Sequence, residues 1–176
     1  KVNIIRINKK QKKFEKTIKG ERDKSLSIRW VLFSSMARGK SQACNLLVSE
    51  DVLATINAVK KLGINGKLNK KSCTMFGNGP DGYNYKKNII INAENSGTLG
   101  RLILGLLINS LNPIKLVGDK SLSKRDFNRI ADTVRKFGAK FRLTNGKYFH
   151  LTLSGAPQLT PLNYFERPGS PPCNTS

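Results

Sequence analysis

Apolar residues recur along this chain with two periods, and the alternation of those periods predicts its architecture. Residues 25–36 are apolar or small on nearly every side (Leu26, Ile28, Trp30, Val31, Leu32, Phe33), which predicts a largely buried helix ending at Arg38-Gly39. Residues 42–48 read as a short strand. Ser49-Glu50-Asp51 then opens a second helix, in which Val52, Leu53, Ile56, Val59 and Leu62 keep helical spacing as far as Gly63. Residues 67–85 hold the turn cluster Gly77-Asn78-Gly79-Pro80-Asp81-Gly82 between short strands. Ile89-Ile90-Ile91 reads as a strand, the run around Leu102-Ile103-Leu104 as a buried helix, and residues 114–118 as another strand. Residues 126–137 form an amphipathic helix stopped by Gly138, and residues 141–153 a β-hairpin around Asn145-Gly146. Ahead of all this lies a basic stretch, residues 1–19, with Val2-Asn3-Ile4-Ile5-Arg6-Ile7 able to form a strand.

These elements occur twice. Ser25 aligns with Gly97, and Val59-Lys60-Lys61-Leu62-Gly63 aligns with Val134-Arg135-Lys136-Phe137-Gly138, a period of roughly 70 residues. A period that long indicates duplicated α/β units, each needing a sheet face for its helices to cover.

Both copies put an arginine at the mouth of a helix. The first reads Asp23-Lys24-Ser25-Leu26-Ser27-Ile28-Arg29, and the second Asn95-Ser96-Gly97-Thr98-Leu99-Gly100-Arg101. Gly118-Asp119-Lys120-Ser121-Leu122-Ser123-Lys124-Arg125 is a third junction of the same kind, a strand end leading to a helix start. Ser or Thr at such a start caps backbone N–H groups, and the remaining N–H groups with the helix dipole attract an anion. Lys24 and Arg29 are expected to bracket a Ser-capped start, and Gly97 to let a ligand approach the backbone. Basic side chains there favour phosphate, so the junctions predict a substrate, or a pair of substrates, with more than one phosphate.

Composition narrows the alternatives. With 32 basic against 11 acidic residues the net charge is +21, which fits phosphorylated small molecules or nucleic acid. Aromatic residues are only 7% and scattered, too few for an obvious base-stacking platform, so a basic nucleic-acid-binding protein rests on charge alone. Cys44, Cys73 and Cys173 make no metal pattern and read as reduced thiols of a cytoplasmic protein. His150 lies in an alternating run and reads as a strand histidine. Arg38-Gly39-Lys40-Ser41 imitates the end of a P-loop, but Ser34 stands where that motif needs glycine, and helix termination explains it better. No stretch is long and apolar enough to span a bilayer.

The three junctions together resemble the ordered motifs of the EPSP synthase (3-phosphoshikimate 1-carboxyvinyltransferase) family. They are Asp23-Lys24-Ser25-Leu26-Ser27-Ile28-Arg29, Asn95-Ser96-Gly97-Thr98-x-x-Arg101 and Gly118-Asp119-x-Ser121-Leu122-x-x-Arg125, with Ser49-Glu50-Asp51-Val52 and the two helix-ending glycines in support. The sister family acting on UDP-N-acetylglucosamine usually has Lys-Asn in place of Lys24-Ser25 and a cysteine in the third loop, absent here.

The resemblance implies an α/β fold of repeated βαβαββ units, the inside-out α/β barrel of enolpyruvyl transferases. Two of the three units of one domain would be present, at about residues 20–90 and 91–160, with the start of a third. Residues 1–19 would be a crossover belonging to a second domain, and residues 20–176 an incomplete first one. The chain is thus expected to be the N-terminal part of a longer cytoplasmic enzyme, a monomer when whole. The implied reaction moves the enolpyruvyl group of phosphoenolpyruvate to shikimate 3-phosphate, with no metal or organic cofactor and neither nucleic acid nor membrane as partner. By motif position, Lys24, Asn95, Gly97, Arg101 and Arg125 would bind phosphoenolpyruvate. Lys24, Ser25, Arg29 and Ser170 would bind shikimate 3-phosphate. No catalytic residue is assigned, because the family's acid–base groups lie mostly in the other domain. Glu94 stands where the family commonly has glycine, an added negative charge beside the expected phosphate pocket.

Overall fold

The computed structural model describes residues 23–69, 72–110 and 112–161. It contains two α/β units in tandem. The first comprises α1 (Lys24–Met36), β1 (Arg38–Cys44), α2 (Glu50–Lys61), β2 (Asn65–Leu68) and β3 (Ser72–Asn78). The second comprises β4 (Ile89–Asn92), α3 (Gly97–Leu106), β5 (Ile114–Val117), a 3-10 turn at Leu122–Lys124, α4 (Asn128–Arg135), β6 (Lys140–Thr144) and β7 (Tyr148–Ser154).

The two sheets repeat one topology. In the second, the order is β4-β5-β7-β6. Strands β4 and β5 are parallel, which requires a crossover, and α3 supplies it. The remaining pairs, β5 with β7 and β6 with β7, are antiparallel. In the first sheet the order β1-β3-β2 is antiparallel throughout and superposes in sequence logic on β5-β7-β6. The second unit is therefore a full βαβαββ motif. The first matches it from its first helix onward, and the strand expected at residues 2–7 lies outside the described residues. Gly63 and Gly138, which end the second helix of each unit, have φ of +88° and +100°, the left-handed turn that the repeat predicts at both places.

One continuous core joins the units. Ile28, Val31 and Leu32 of α1, Val52 and Val59 of α2, and Leu99, Ile103 and Leu104 of α3 belong to it. So do the inward residues Cys73, Met75, Ile91, Ile114, Leu116, Leu151 and Leu153 of the sheets. α1 packs against α2, α3 and β3, so little of its surface is left for solvent. Its buried serines are satisfied within the helix: the Ser34 hydroxyl donates to the Val31 carbonyl at 3.0 Å, and that of Ser35 to the Leu32 carbonyl at 2.6 Å. Leu26 and Phe33, seven residues apart on one stripe, remain 65% and 66% exposed. No helix among the described residues is long and apolar enough to cross a membrane.

Three expectations shift. The strand expected at 42–48 is β1 at Arg38–Cys44 instead, an almost wholly polar strand held by its full-length register with β3. The apolar signal at Leu46 and Leu47 belongs to the loop after it: Leu46 packs on the core, and Leu47 donates its N–H to the Ser27 hydroxyl at 3.1 Å. The helix expected at 126–137 is shorter, Asn128–Arg135, because Asp126 pairs with Tyr148 as an isolated bridge and its carboxylate accepts from Asn128 N–H at 2.8 Å. The third junction opens a single 3-10 turn in place of a helix, and Asp119 rather than serine accepts its first N–H, from Leu122 at 2.7 Å.

Candidate functional site

The mouth of α3 gathers four of the sequence-predicted residues. Ser96 caps the helix by accepting from Leu99 N–H at 3.2 Å. Gly97 is its first residue and is buried. Arg101 stands one turn further on, half-buried, and Arg125 arrives from the loop after β5. Both guanidinium groups lie over Gly97: a Cβ added there would come within 2.7 Å of Arg125 Nη1 and 3.0 Å of Arg101 Nη1. The absence of a side chain at this position is what lets two cations share one helix mouth. Arg125 Nη2 donates to Asn95 Oδ1 at 2.8 Å, and the Arg101 guanidinium sits 5.0 Å from the centre of the Phe127 ring.

This arrangement is electrostatically unfinished. Neither arginine is ion-paired among the described residues. Burial, and then the charge of Arg125, lower the pKa of Arg101 below the ordinary arginine value. Like charges held together at a helix N-terminus favour an anion between them. The carboxylate expected to interfere is tied back: Glu94 Oε1 accepts from Asn92 Nδ2 at 2.7 Å, and Glu94 N–H donates to Asn92 Oδ1 at 3.0 Å.

The mouth of α1 is built differently. Its cap is Asp23, not the expected serine, and the carboxylate accepts from Leu26 N–H at 2.7 Å. An acid wins this position because it can answer both the free N–H groups and the helix dipole. Ser25 lies inside the first turn, where Arg29 Nη1 donates to its hydroxyl and, at 3.4 Å, to its carbonyl. Lys24 Nζ is 2.8 Å from Asp51 Oδ2 at the start of α2. The structure thus brings Asn95, Gly97, Arg101 and Arg125 into one cluster and Lys24, Ser25 and Arg29 into another, on two helices that pack together. Ser170 lies outside the described residues. Residues 38–41 are β1, an extended strand, which rules out a P-loop there. A cavity of about 350 Å³ opens at the far end of α3, walled by Tyr83, Tyr85, Leu106 and Asn109, and no arginine lines it.

Three participants were not legible in the sequence. Asp51 reads in the sequence only as part of a helix cap, yet it holds Lys24. Phe127 reads as the start of an amphipathic helix, yet it carries Arg101. The ring of His150, in β7, makes a 2.9 Å hydrogen bond with the Gly118 carbonyl, although it reads as an ordinary strand residue.

Comparison with known proteins places the chain in a family. The family model described as EPSP synthase (3-phosphoshikimate 1-carboxyvinyltransferase) matches residues 8–169. A 3-phosphoshikimate 1-carboxyvinyltransferase of Streptococcus agalactiae is 38% identical over 149 residues, covering 84% of this chain and 35% of the relative. That of Oceanobacillus iheyensis is 39% identical over 140 residues, covering 79% and 32%. Among solved structures, the EPSP synthase of Acinetobacter baumannii superposes with a TM-score of 0.77 at 32% identity, over 82% of this chain and 33% of that one. The chain spans about a third of the length of the relatives it matches.

Proposed function

Because the chain belongs to the EPSP synthase family, we propose that it forms part of an enzyme that transfers the enolpyruvyl group of phosphoenolpyruvate to the 5-hydroxyl of shikimate 3-phosphate. In the addition step the 5-hydroxyl gives up its proton and its oxygen bonds to C2 of phosphoenolpyruvate while a proton is added to C3, giving a tetrahedral intermediate. In the elimination step the C2–O bond to phosphate breaks, inorganic phosphate leaves, and a proton is lost from C3. The observation that carries this reading is the pair of guanidinium groups facing each other over Gly97 with no acid between them. Arg101 and Arg125 would grip the anionic groups of phosphoenolpyruvate, with Asn95 orienting Arg125 and Gly97 leaving room. Lys24 would reach the same substrate from α1, while Ser25 and Arg29, with Ser170, would bind shikimate 3-phosphate. Such clamps stabilise charge as the phosphate leaves and hold two anions in attack geometry.

The chain spans about a third of its relatives' length and the family's acid–base groups are expected mostly in the other domain, so the 176 residues alone should give no turnover. The exposed stripe of Leu26 and Phe33 on α1 supports the reading of residues 20–176 as an incomplete domain, with a third unit to cover it.

Isothermal calorimetry tests the proposal. The chain should bind phosphoenolpyruvate saturably, inorganic phosphate should compete, and pyruvate, which lacks the phosphate, should bind far more weakly. Replacing Arg101 or Arg125 by Gln should weaken binding about 10- to 100-fold, the loss of a charge-assisted hydrogen bond. Equal affinity for pyruvate, or indifference to both substitutions, would overturn the reading.

A further inference from the structure

We propose that His150 is a positioning residue, and that the bulge it forms in β7 clamps both ends of the 118–125 loop so that Arg125 and Arg101 stay over Gly97. The functional consequence rests on the reading of that site as the phosphoenolpyruvate site; the clamp itself rests on geometry.

The pairing of β6 with β7 slips near the hairpin tip. Leu143 faces Leu151, but Thr144 faces Tyr148, so Phe149 and His150 are extra residues on β7. His150 has φ of +76°, a left-handed conformation that non-glycine residues rarely adopt. The Thr144 hydroxyl fixes the kink by donating to the His150 carbonyl at 2.8 Å.

What the kink accomplishes is visible in its neighbours. It carries the imidazole to the Gly118 carbonyl, where the loop leaves β5. That carbonyl can only accept, so Nε2 bears the proton. The adjacent residue, Phe149, donates its N–H to the Arg125 carbonyl at 3.4 Å, where the same loop ends. Two consecutive residues of one bulge therefore hold the two ends of the segment that delivers Arg125. Lys147 extends the grip by accepting from Phe127 N–H at 3.0 Å.

The clamp also reaches Arg101. The Phe149 ring lies 4.5 Å from that of Phe127, centre to centre, and the Phe127 ring in turn supports the Arg101 guanidinium. The ring pair is wedged against α3: a Cβ on Gly100 would come within 3.2 Å of Phe149 and 3.3 Å of Phe127. Both arginines are thus fixed from one hairpin, through the Phe149 backbone and the Phe149–Phe127 ring pair.

The test compares His150→Gly with His150→Gln in the full 176-residue chain. Glycine accepts φ of +76° without strain, so the fold should hold and the urea midpoint should move little. The side-chain Nε–Hε NMR signals of Arg125 and Arg101 should nevertheless broaden and exchange faster with solvent, and phosphoenolpyruvate affinity should fall at least fivefold. Gln, whose amide N–H can reach the Gly118 carbonyl, should recover most of that loss. Unchanged Arg125 and Arg101 signals in His150→Gly would overturn the clamp whether or not an anion binds. If the native chain binds no phosphoenolpyruvate, the site reading fails, and the arginine signals still decide the clamp.

Discussion

At the mouth of α1 two carboxylates stand among the cations. Lys24 is 2.8 Å from Asp51, Arg29 is bound to Ser25, and the cap itself is the carboxylate of Asp23. At the mouth of α3 the cap is a neutral serine, the first helical residue has no side chain, and Arg101 and Arg125 face each other across it. The two places descend from one repeated frame, yet one is internally neutralised and the other is not. The difference teaches where an anion gains most. Between two guanidinium groups it replaces repulsion with attraction, whereas beside Lys24 it must compete with Asp51. A phosphorylated ligand should therefore seat first at α3 and recruit α1 second.

The sharpest way to break this comparison is to give Gly97 a side chain, as its counterpart Ser25 already has one. A Cβ at position 97 would come within 2.7 Å of Arg125 Nη1 and must displace one guanidinium or both. Gly97→Val should weaken phosphoenolpyruvate binding by about 100-fold, the order expected when charge-assisted hydrogen bonds from a displaced guanidinium are lost. Ser25→Val, the matching change at α1, should cost far less in the same calorimetric titration. Equal effects would mean that the two mouths do not differ in the way described.

How much of this was legible beforehand follows from where the signals are local. Helix α2 could be read from Ser49 and the spacing of Val52, Ile56 and Val59, because capping and amphipathic spacing act over a few residues. The repeat and the positions of Arg101 and Arg125 were legible for the same reason: each sits at a fixed offset from a strand end. Strand β1 is hard to place from its sequence, Arg38-Gly39-Lys40-Ser41-Gln42-Ala43-Cys44, because it carries no apolar alternation and its register comes from partners on β3 that lie 28 to 40 residues further along the chain. Asp23 does not stand out as the cap because nearby serines compete for that position on propensity, and only the backbone decides. The His150 clamp was illegible in principle. Its histidine fits a strand pattern, and the partner carbonyl at Gly118 is 32 residues earlier.

A smaller effect should follow from freeing Lys24. Asp51→Asn removes its ion partner, which is largely buried while Lys24 is largely exposed. The stability cost should be at most about 1 kcal/mol, the range for pairs that reach solvent. Phosphoenolpyruvate affinity at low salt should rise by about two- to fivefold, because an anion no longer competes with Asp51, and added salt should erase the gain. A fall in affinity would show instead that Asp51 serves the site by orienting Lys24. The comparison would then need α1 to be preorganised rather than self-neutralised.

The smallest expected effect separates the caps themselves. Asp23→Ala and Ser96→Ala each remove one side-chain acceptor for a helix N–H, from Leu26 and Leu99 respectively, so each should cost about 1 kcal/mol in urea denaturation. Only the first also removes a negative charge from the helix N-terminus. Inorganic phosphate can occupy the place that this charge vacates, since it meets the exposed N–H groups with Lys24 and Arg29 nearby. Measured in phosphate and in chloride at equal ionic strength, the Asp23→Ala deficit should therefore shrink in phosphate, relative to the native chain in the same buffers. The Ser96→Ala deficit should not shrink, because on the proposed reading the native α3 mouth would already take the anion and gain as much from it as the variant does. If both deficits respond alike, the charge on the cap is not what distinguishes the two mouths, and the contrast must be carried by Gly97 alone.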